Sequence, residues 1–250
     1  MMQAMIFAAG LGTRLKPLTD TKPKALVEVG GQPLLWHVIR RLKEAGFGRV
    51  VINVHHFASQ IVDYVRAHDA FGMDIRISDE QGFLLETGGG IRHAAPLFDA
   101  AAPVLIHNVD ILSNVNLAQV YASIGQDDAA LLVSERTTKR YLLFDDEDAL
   151  RGWTNVESGE LKGPVADGGM DAARLQRLAF SGIHVFSPRL FPLMQPFPEK
   201  FGIIDFYLQA CRTRSIRAVK SEGLQLLDVG KADSLAKAEQ MLARLQGTHC

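Results

Sequence analysis

Apolar positions along the first hundred residues alternate between two periods. Short β-branched runs at residues 4–8, 49–54 (RVVINV), 74–78 and 103–108 predict strands. Between them Leu34, Leu35, Val38, Ile39 and Leu42 recur at helical spacing up to Gly46, a residue suited to cap a helix C-terminus. Ile61, Val62 and Val65 mark a second helix, and residues 90–98 resume helical periodicity behind a glycine cluster. Strands and helices that alternate over short links make right-handed crossovers, so the pattern predicts an α/β chain with an open, doubly wound, mostly parallel sheet. Ligands of such sheets bind at the C-terminal strand ends.

From about residue 128 the pattern shortens. The runs DAALLVSE, RYLLFD and LQRLAFSGIHVF read as strands of an inserted, partly antiparallel lobe, with a polar stretch carrying Gly159, Gly163, Gly168 and Gly169 between the last two. Helical runs at 188–194 and 203–212 follow, then strands at 216–220 and 226–229 and an amphipathic helix at 232–245. With no repeat, low-complexity linker or composition break, residues 1–250 read as one domain with halves at 1–127 and 128–250.

Composition narrows the class. Hydrophobic residues at 47% and charged residues at 22% describe an ordinary globular protein rather than a disordered, collagen-like or coiled-coil chain. A net charge of −1 supplies no global field toward nucleic acid or an acidic membrane, so neither is expected as a partner and any cationic function is local. Two cysteines, Cys211 and Cys250, are too few for a disulfide scaffold or a four-cysteine zinc site, and fit a reducing cytoplasm. The apolar start MMQAMIFAAGLG lacks the basic leader of a secretory signal and reads as the first strand. No stretch reaches the ~20 apolar residues of a membrane helix.

Cations concentrate in residues 8–24, AAGLGTRLKPLTDTKPK, in the loop after the first strand. Arg14, Lys16, Lys22 and Lys24 fall within 11 positions, and Gly10 and Gly12 let backbone amides approach phosphate oxygens, which together suggest a polyphosphate cradle. A solvated basic loop with turn glycines is the plain alternative. The P-loop and the dinucleotide fingerprint GxGxxG both fail at Leu15, where each needs glycine. ETGGGI at residues 86–91 opens a helix whose bare N-terminus suits an anion or a planar base, or serves only as a flexible entry. Asp110 and Asp228 each end an apolar strand. Magnesium takes one or two carboxylates and completes its shell with water and phosphate, but only the fold can bring these two together, and each alone reads more readily as a turn or cap aspartate. The histidines show no metal spacing, and no GxSxG elbow is present.

Residues 7–35, FAAGLGTRLKPLTDTKPKALVEVGGQPLL, resemble the LAAGxGTRLxPLTxxxPKxLVxVxGxPLL signature of the sugar-1-phosphate nucleotidylyltransferases. ETGGGI, Asp110, FSGI at 180–183 and DVG at 228–230 follow in family order, and look closest to the bacterial N-acetylmuramate-1-phosphate uridylyltransferases and short mannose- or heptose-1-phosphate guanylyltransferases. The resemblance implies a Rossmann-like, GT-A-like fold with a nucleotide-binding first half and a sugar-binding second half. It implies Mg²⁺-assisted transfer of a nucleoside monophosphate, UTP favoured, from NTP to a sugar 1-phosphate with release of pyrophosphate. A cytoplasmic enzyme of nucleotide-sugar biosynthesis for cell wall or surface polysaccharide is expected, as a monomer or small homo-oligomer.

By family position, Arg14 would clamp the triphosphate and Lys24 would hold the sugar phosphate against the α-phosphate. Asp110 and Asp228 would bind Mg²⁺. Ala9, Gly10, Leu11, Gly12, Thr13, Thr87, Gly88 and Asn108 would line the nucleotide. Gly182, Asp205 and Tyr141 would meet the sugar. Two departures stand out: Val109 replaces the glycine usual before the metal aspartate, and TKRYLLFD stands where the uridylyltransferase-like members carry GRGDF. The EKP segment of glucose and deoxysugar members is not evident between Glu135 and Pro164. Competing expectations are a guanylyltransferase, a non-catalytic nucleotide-sugar-binding regulator motivated by Val109, and an NAD-dependent oxidoreductase resting on the incomplete glycine fingerprint.

Overall fold

Strand β1 (Met2–Phe7) is both the first element and the middle of the parallel half of the sheet. In the computed structural model of the chain, residues 1–80, 82–231 and 233–247 are described. Cys250, and Ala232 where the last helix was expected to begin, lie outside them. After β1 and its loop come a short hairpin, β2 (Glu28–Val29) and β3 (Gln32–Pro33), and helix α1 (Leu34–Glu44). β4 (Phe47–Val54), α2 (Ala58–Ala67), β5 (Asp74–Asp79), α3 (Glu86–Ala94) and β6 (Val104–Asn108) complete the alternating half.

β7 (Ile111–Ser113), α4 (Leu117–Ala122) and β8 (Ala129–Ser134) lead to the inserted lobe of β9 (Arg140–Phe144), β10 (Leu150–Asn155), β11 (Leu161–Lys162) and β12 (Gln176–Phe186). α5 (Phe191–Met194), α6 (Ile203–Ala210), β13 (Ile216–Lys220), β14 (Leu226–Asp228) and α7 (Asp233–Gly247) follow. Among the described residues no helix is long and apolar enough to cross a membrane.

Ten strands form one mixed sheet in the order β5-β4-β1-β6-β12-β9-β10-β11, with β8 beside β12 and β13 beside β8. β5, β4, β1 and β6 are mutually parallel, whereas β12 runs antiparallel to β6, β8 and β9. Connections wind one way from β1 to β4 and β5 and the other way to β6, so the sheet opens a crevice at the carboxyl ends of β1 and β6.

Alternation of side chains across each strand builds two cores. Ala4, Ile6, Val50, Ile52 and Leu105 pack under α1 and α2, while Met5, Val51, Val104 and Ile106 pack under α3, α5 and α6. Burial on both faces explains why these strands are nearly continuous apolar runs.

Five elements show where the sequence pattern falls short. β10 and β11 lie inside the stretch read as polar loop, because only their alternate positions are buried or because, in β11, both residues are exposed. β7 and α4 are too short to show a period. Helix α3 starts at Glu86 rather than near residue 90, so the glycine triplet is helical. Tertiary packing overrides glycine's poor helix propensity there, since a side chain at Gly88 would lie 2.4 Å from the Phe201 ring.

Candidate functional site

The basic loop folds back on itself at the carboxyl end of β1. The Ala8 amide donates to Asn53 Oδ1 at 2.7 Å, fixing the loop's first residue to the end of β4. Gly12 has a left-handed backbone, φ 63°, and a side chain there would come within 2.9 Å of Thr19 and 3.1 Å of the Lys24 stem. The Thr19 hydroxyl donates to the Gly12 carbonyl at 2.8 Å. Both conformation and close approach therefore demand glycine. Leu15, the residue that spoils both phosphate motifs, is fully buried in the core. Lys24 is also drawn inward, 9% exposed, and its Nζ donates to the Asp110 carboxylate.

The two strand-end aspartates are brought together by a two-stranded ribbon. β7 pairs antiparallel with β14, placing Asp228 opposite Ile111, and the Val229 amide donates to the Asp110 carbonyl at 2.8 Å. Arg41, half-buried on α1, steadies the ribbon by donating to Ser113 Oγ at 3.0 Å and to the Val115 carbonyl. Partial desolvation and the neighbouring Asp110 charge raise the Asp228 pKa, against the pull of Lys24, Arg14 and Arg136. Arg14 completes the group: a side chain at Gly230 would lie 2.7 Å from Asp228 Oδ1 and 2.9 Å from Arg14 Nη2. Four charged groups from three parts of the chain thus share one spot.

A cavity of about 260 Å³ opens beside them. Phe7, Ala8, Ala9, Gly10 and Lys24 form one wall, Asn53 and Glu80 the floor, Leu84, Glu86 and Thr87 a second wall, and Asn108, Val109 and Asp110 a third. Glu80 is buried and fully engaged, accepting from Asn53 Nδ2 at 2.8 Å and from the Leu85 amide at 3.2 Å. Val109 packs into the apolar core and also borders the cavity.

Of the residues expected to line the nucleotide, Ala9, Gly10, Lys24, Thr87 and Asn108 lie on this cavity. Leu11, Gly12, Thr13 and Arg14 do not, although Gly12 abuts Lys24 and Arg14 reaches Asp228. Gly88 is behind the wall: its amide and that of Gly89 donate to the Phe201 carbonyl, at 2.9 and 3.2 Å. The α3 N-terminus is thereby spent on the segment leading to α6, and the Thr87 hydroxyl accepts from the Ile203 amide at 2.9 Å. Asn53, Glu80 and Glu86 were missed by sequence. Asn53 carried a signal, since it ends a predicted strand at the ligand edge of the sheet.

A second, larger cavity of about 510 Å³ lies on the inserted lobe. Its floor is one face of the antiparallel strands: Leu142 pairs with Trp153 and Trp153 with Lys162, with Arg140 and Asn155 paired one step along. Ile204, Asp205 and Leu208 of α6 form the wall. Tyr141 and Asp205, expected to meet the sugar, both line it, together with Arg136, Thr138, Glu160 and Phe180, which sequence missed. Lys162 stands 5.1 Å over the Trp153 ring and 3.6 Å from Glu160.

Gly182, expected to meet the sugar, lines neither cavity but lies between Phe180 of the second and Asn108 of the first. Its left-handed backbone, φ 72°, sits in a register break of β12 against β8, and a side chain there would lie 2.8 Å from Asn108 Nδ2. Below the break β12 pairs with β6, and above it with β9.

Asp110 and Asp228 suit a divalent cation of the magnesium type, as two hard oxygen donors that leave further positions to phosphate and water. Among the described residues no group of three or more histidine, cysteine or carboxylate ligands exists. Cys211 is buried, with its thiol pushed up to about 11 mainly by desolvation, and takes no part.

Comparison with known proteins adds the following. The model of the MobA-like NTP transferase domain matches residues 4–200. N-acetylmuramate alpha-1-phosphate uridylyltransferase of Caulobacter vibrioides is 33% identical over 242 residues, covering 96% of each chain. The protein of that name from Neisseria meningitidis serogroup B is 35% identical over 191 residues, covering 76% of this chain and 77% of the relative. HddC from Yersinia pseudotuberculosis, solved with GMP-PN, shares the fold with a TM-score of 0.77 at 21% identity, covering 97% of this chain and all of its own.

Proposed function

The chain belongs to the MobA-like NTP transferase domain family, as a sugar-1-phosphate nucleotidylyltransferase, and from that premise we propose that it uridylylates N-acetylmuramate α-1-phosphate. In this reaction a phosphate oxygen of the sugar 1-phosphate attacks the α-phosphorus of UTP. A P–O bond forms, the α–β bond breaks, and pyrophosphate leaves with the charge. No protein nucleophile or base is required, so catalysis rests on alignment and electrostatics.

The observation that carries the reading is the meeting of Lys24, Asp110, Arg14 and Asp228 beside the first cavity. UTP enters that cavity with its base against Ala9, Gly10 and Thr87 and its ribose near Asn108. Arg14, beside Asp228, faces the departing pyrophosphate. Lys24 swings from Asp110 to the α-phosphate and steadies the attacking oxygen. Mg²⁺, held by Asp110 and Asp228, would neutralise charge on the phosphate oxygens.

The second cavity takes the sugar. Arg140, on its floor and without an ion-pair partner among the described residues, favours an acceptor with an anionic substituent besides its phosphate. N-acetylmuramate, with its lactyl carboxylate, has that chemistry. On this reading residues 1–250 work as one nucleotidyltransferase domain, cytoplasmic, as a monomer or small homo-oligomer, in a cell wall or surface polysaccharide route.

The test is pyrophosphate release with Mg²⁺ from UTP, GTP, CTP and dTTP, each against N-acetylmuramate, glucose, N-acetylglucosamine, mannose and heptose 1-phosphates. UTP with N-acetylmuramate 1-phosphate should dominate. Dominance of GTP with mannose or heptose 1-phosphate would replace the proposed substrate pair. NTP binding without release for any acceptor would point to a regulator.

A further inference from the structure

We propose that Arg136 is a catalytic residue that binds the 1-phosphate of the acceptor at the seam between the two cavities. The inference rests on the transferase reading above and names the group that receives the second substrate's charge.

Arg136 belongs to the loop between β8 and β9 and lines the second cavity. Its Nη2 donates to the Phe180 carbonyl at 3.0 Å. Phe180 lies two residues before Gly182, which presses on Asn108 of the first cavity and on Ile111 of the β7–β14 ribbon. The guanidinium is therefore tethered to the piece of β12 that joins the two lobes, and it lies within electrostatic reach of Asp228.

Among the described residues Arg136 has no carboxylate partner. One of its nitrogens is committed to a backbone oxygen, and the rest of the planar fork is free to take two phosphate oxygens. The other cations are placed for different work. Arg14 is on the loop after β1, beside Gly230, and Lys24 is bonded to Asp110. Lys162 is held over Trp153 beside Glu160, on the edge strand. In-line transfer brings a dianionic acceptor up to the α-phosphate from the side opposite the pyrophosphate. That approach needs a cation on the sugar side, and Arg136 is the one tethered at the junction.

The experiment is steady-state pyrophosphate release by the full chain, wild type, Arg136→Ala and Arg136→Lys, varying N-acetylmuramate 1-phosphate and UTP in turn. Glucose 1-phosphate serves as a second acceptor. Arg136→Ala should lower kcat/KM for the acceptor about 10- to 100-fold, as expected for loss of a charge-assisted contact, and change the KM for UTP by less than about twofold. Arg136→Lys should recover part of the loss, because it restores the charge but not the fork. A rise in the KM for UTP as large as that for the acceptor, or no loss, with an active wild type overturns the role of Arg136 alone. A lysine variant as impaired as the alanine variant, with an equally lowered melting temperature, assigns the residue to holding Phe180 and also overturns it. A wild type silent with every sugar 1-phosphate overturns the proposed function, and this role with it.

Discussion

The two cavities are built on opposite principles. The first is small and walled largely by backbone and apolar side chains, and five of its residues, Phe7, Ala8, Ala9, Gly10 and Lys24, come from one continuous stretch. The second is twice as roomy, polar, and assembled from alternate positions on antiparallel strands plus one helix face. A triphosphate offers the same groups whatever the base, so a fixed loop serves it. Sugars differ by the orientation and substitution of single groups, and side chains on an inserted lobe can change without disturbing the parallel sheet.

If the first cavity carries the chemistry, removing Asp110 should do most harm. Asp110→Ala should cost about 10³-fold in kcat, in the range seen for loss of a preorganised electrostatic group, while leaving the circular dichroism spectrum intact. Near-normal turnover would refute the placement of the metal.

The packing behind the first cavity is the next point of attack. At Gly88 a methyl group would meet the Phe201 ring at 2.4 Å, so Gly88→Ala should destabilise by about 1–3 kcal/mol through overpacking. Urea denaturation measures this, and an unchanged midpoint would show that the 199–203 segment yields easily.

The second cavity should respond in the acceptor constant only. Arg140, whose guanidinium has no ion-pair partner among the described residues, lines its floor. Arg140→Ala should raise the KM for N-acetylmuramate 1-phosphate about tenfold, with a smaller effect for glucose 1-phosphate, which lacks the carboxylate. Equal effects on both acceptors would mean that Arg140 does not read that group.

The smallest effect compares two buried histidines. Burial lowers His107, behind the first cavity, to about 4, and His184, behind Phe180 of the second, to about 3. Each is neutral when folded but protonates near 6.5 when unfolded. Their contribution to stability is complete above 6.5 and falls with pH, through about 4 for His107 and about 3 for His184. Each histidine should contribute a slope of about 1.4 kcal/mol per pH unit inside its window. His184 has no hydrogen-bond partner on either ring nitrogen, so His184→Phe should remove its share of the slope without loss at neutral pH. Stability measured between pH 7 and 5 reads the difference, and an unaltered slope would contradict the neutral, buried state of His184.

Reading the chain without its fold was rewarded where local rules dominate. β1, β4, β6 and α1 announce themselves because both faces of those strands are buried and α1 keeps one apolar stripe. The loop at residues 8–24 announces itself because its glycines and cations are contiguous. The ETGGGI triplet shows the limit: its glycines look like bare backbone offered to a ligand, yet the Gly88 and Gly89 amides are taken by Phe201, 113 and 112 positions away.

What the sequence by itself determined is therefore the alternating architecture, the phosphate-type loop and the two aspartates as candidates, all carried by residues near one another along the chain. The tertiary structure alone decided that Asp110 and Asp228 meet, because a three-residue ribbon joins segments 118 positions apart. It alone decided that Arg136, Trp153 and Asp205 share a cavity, because strand register and helix packing, not spacing in sequence, set which side chains face each other.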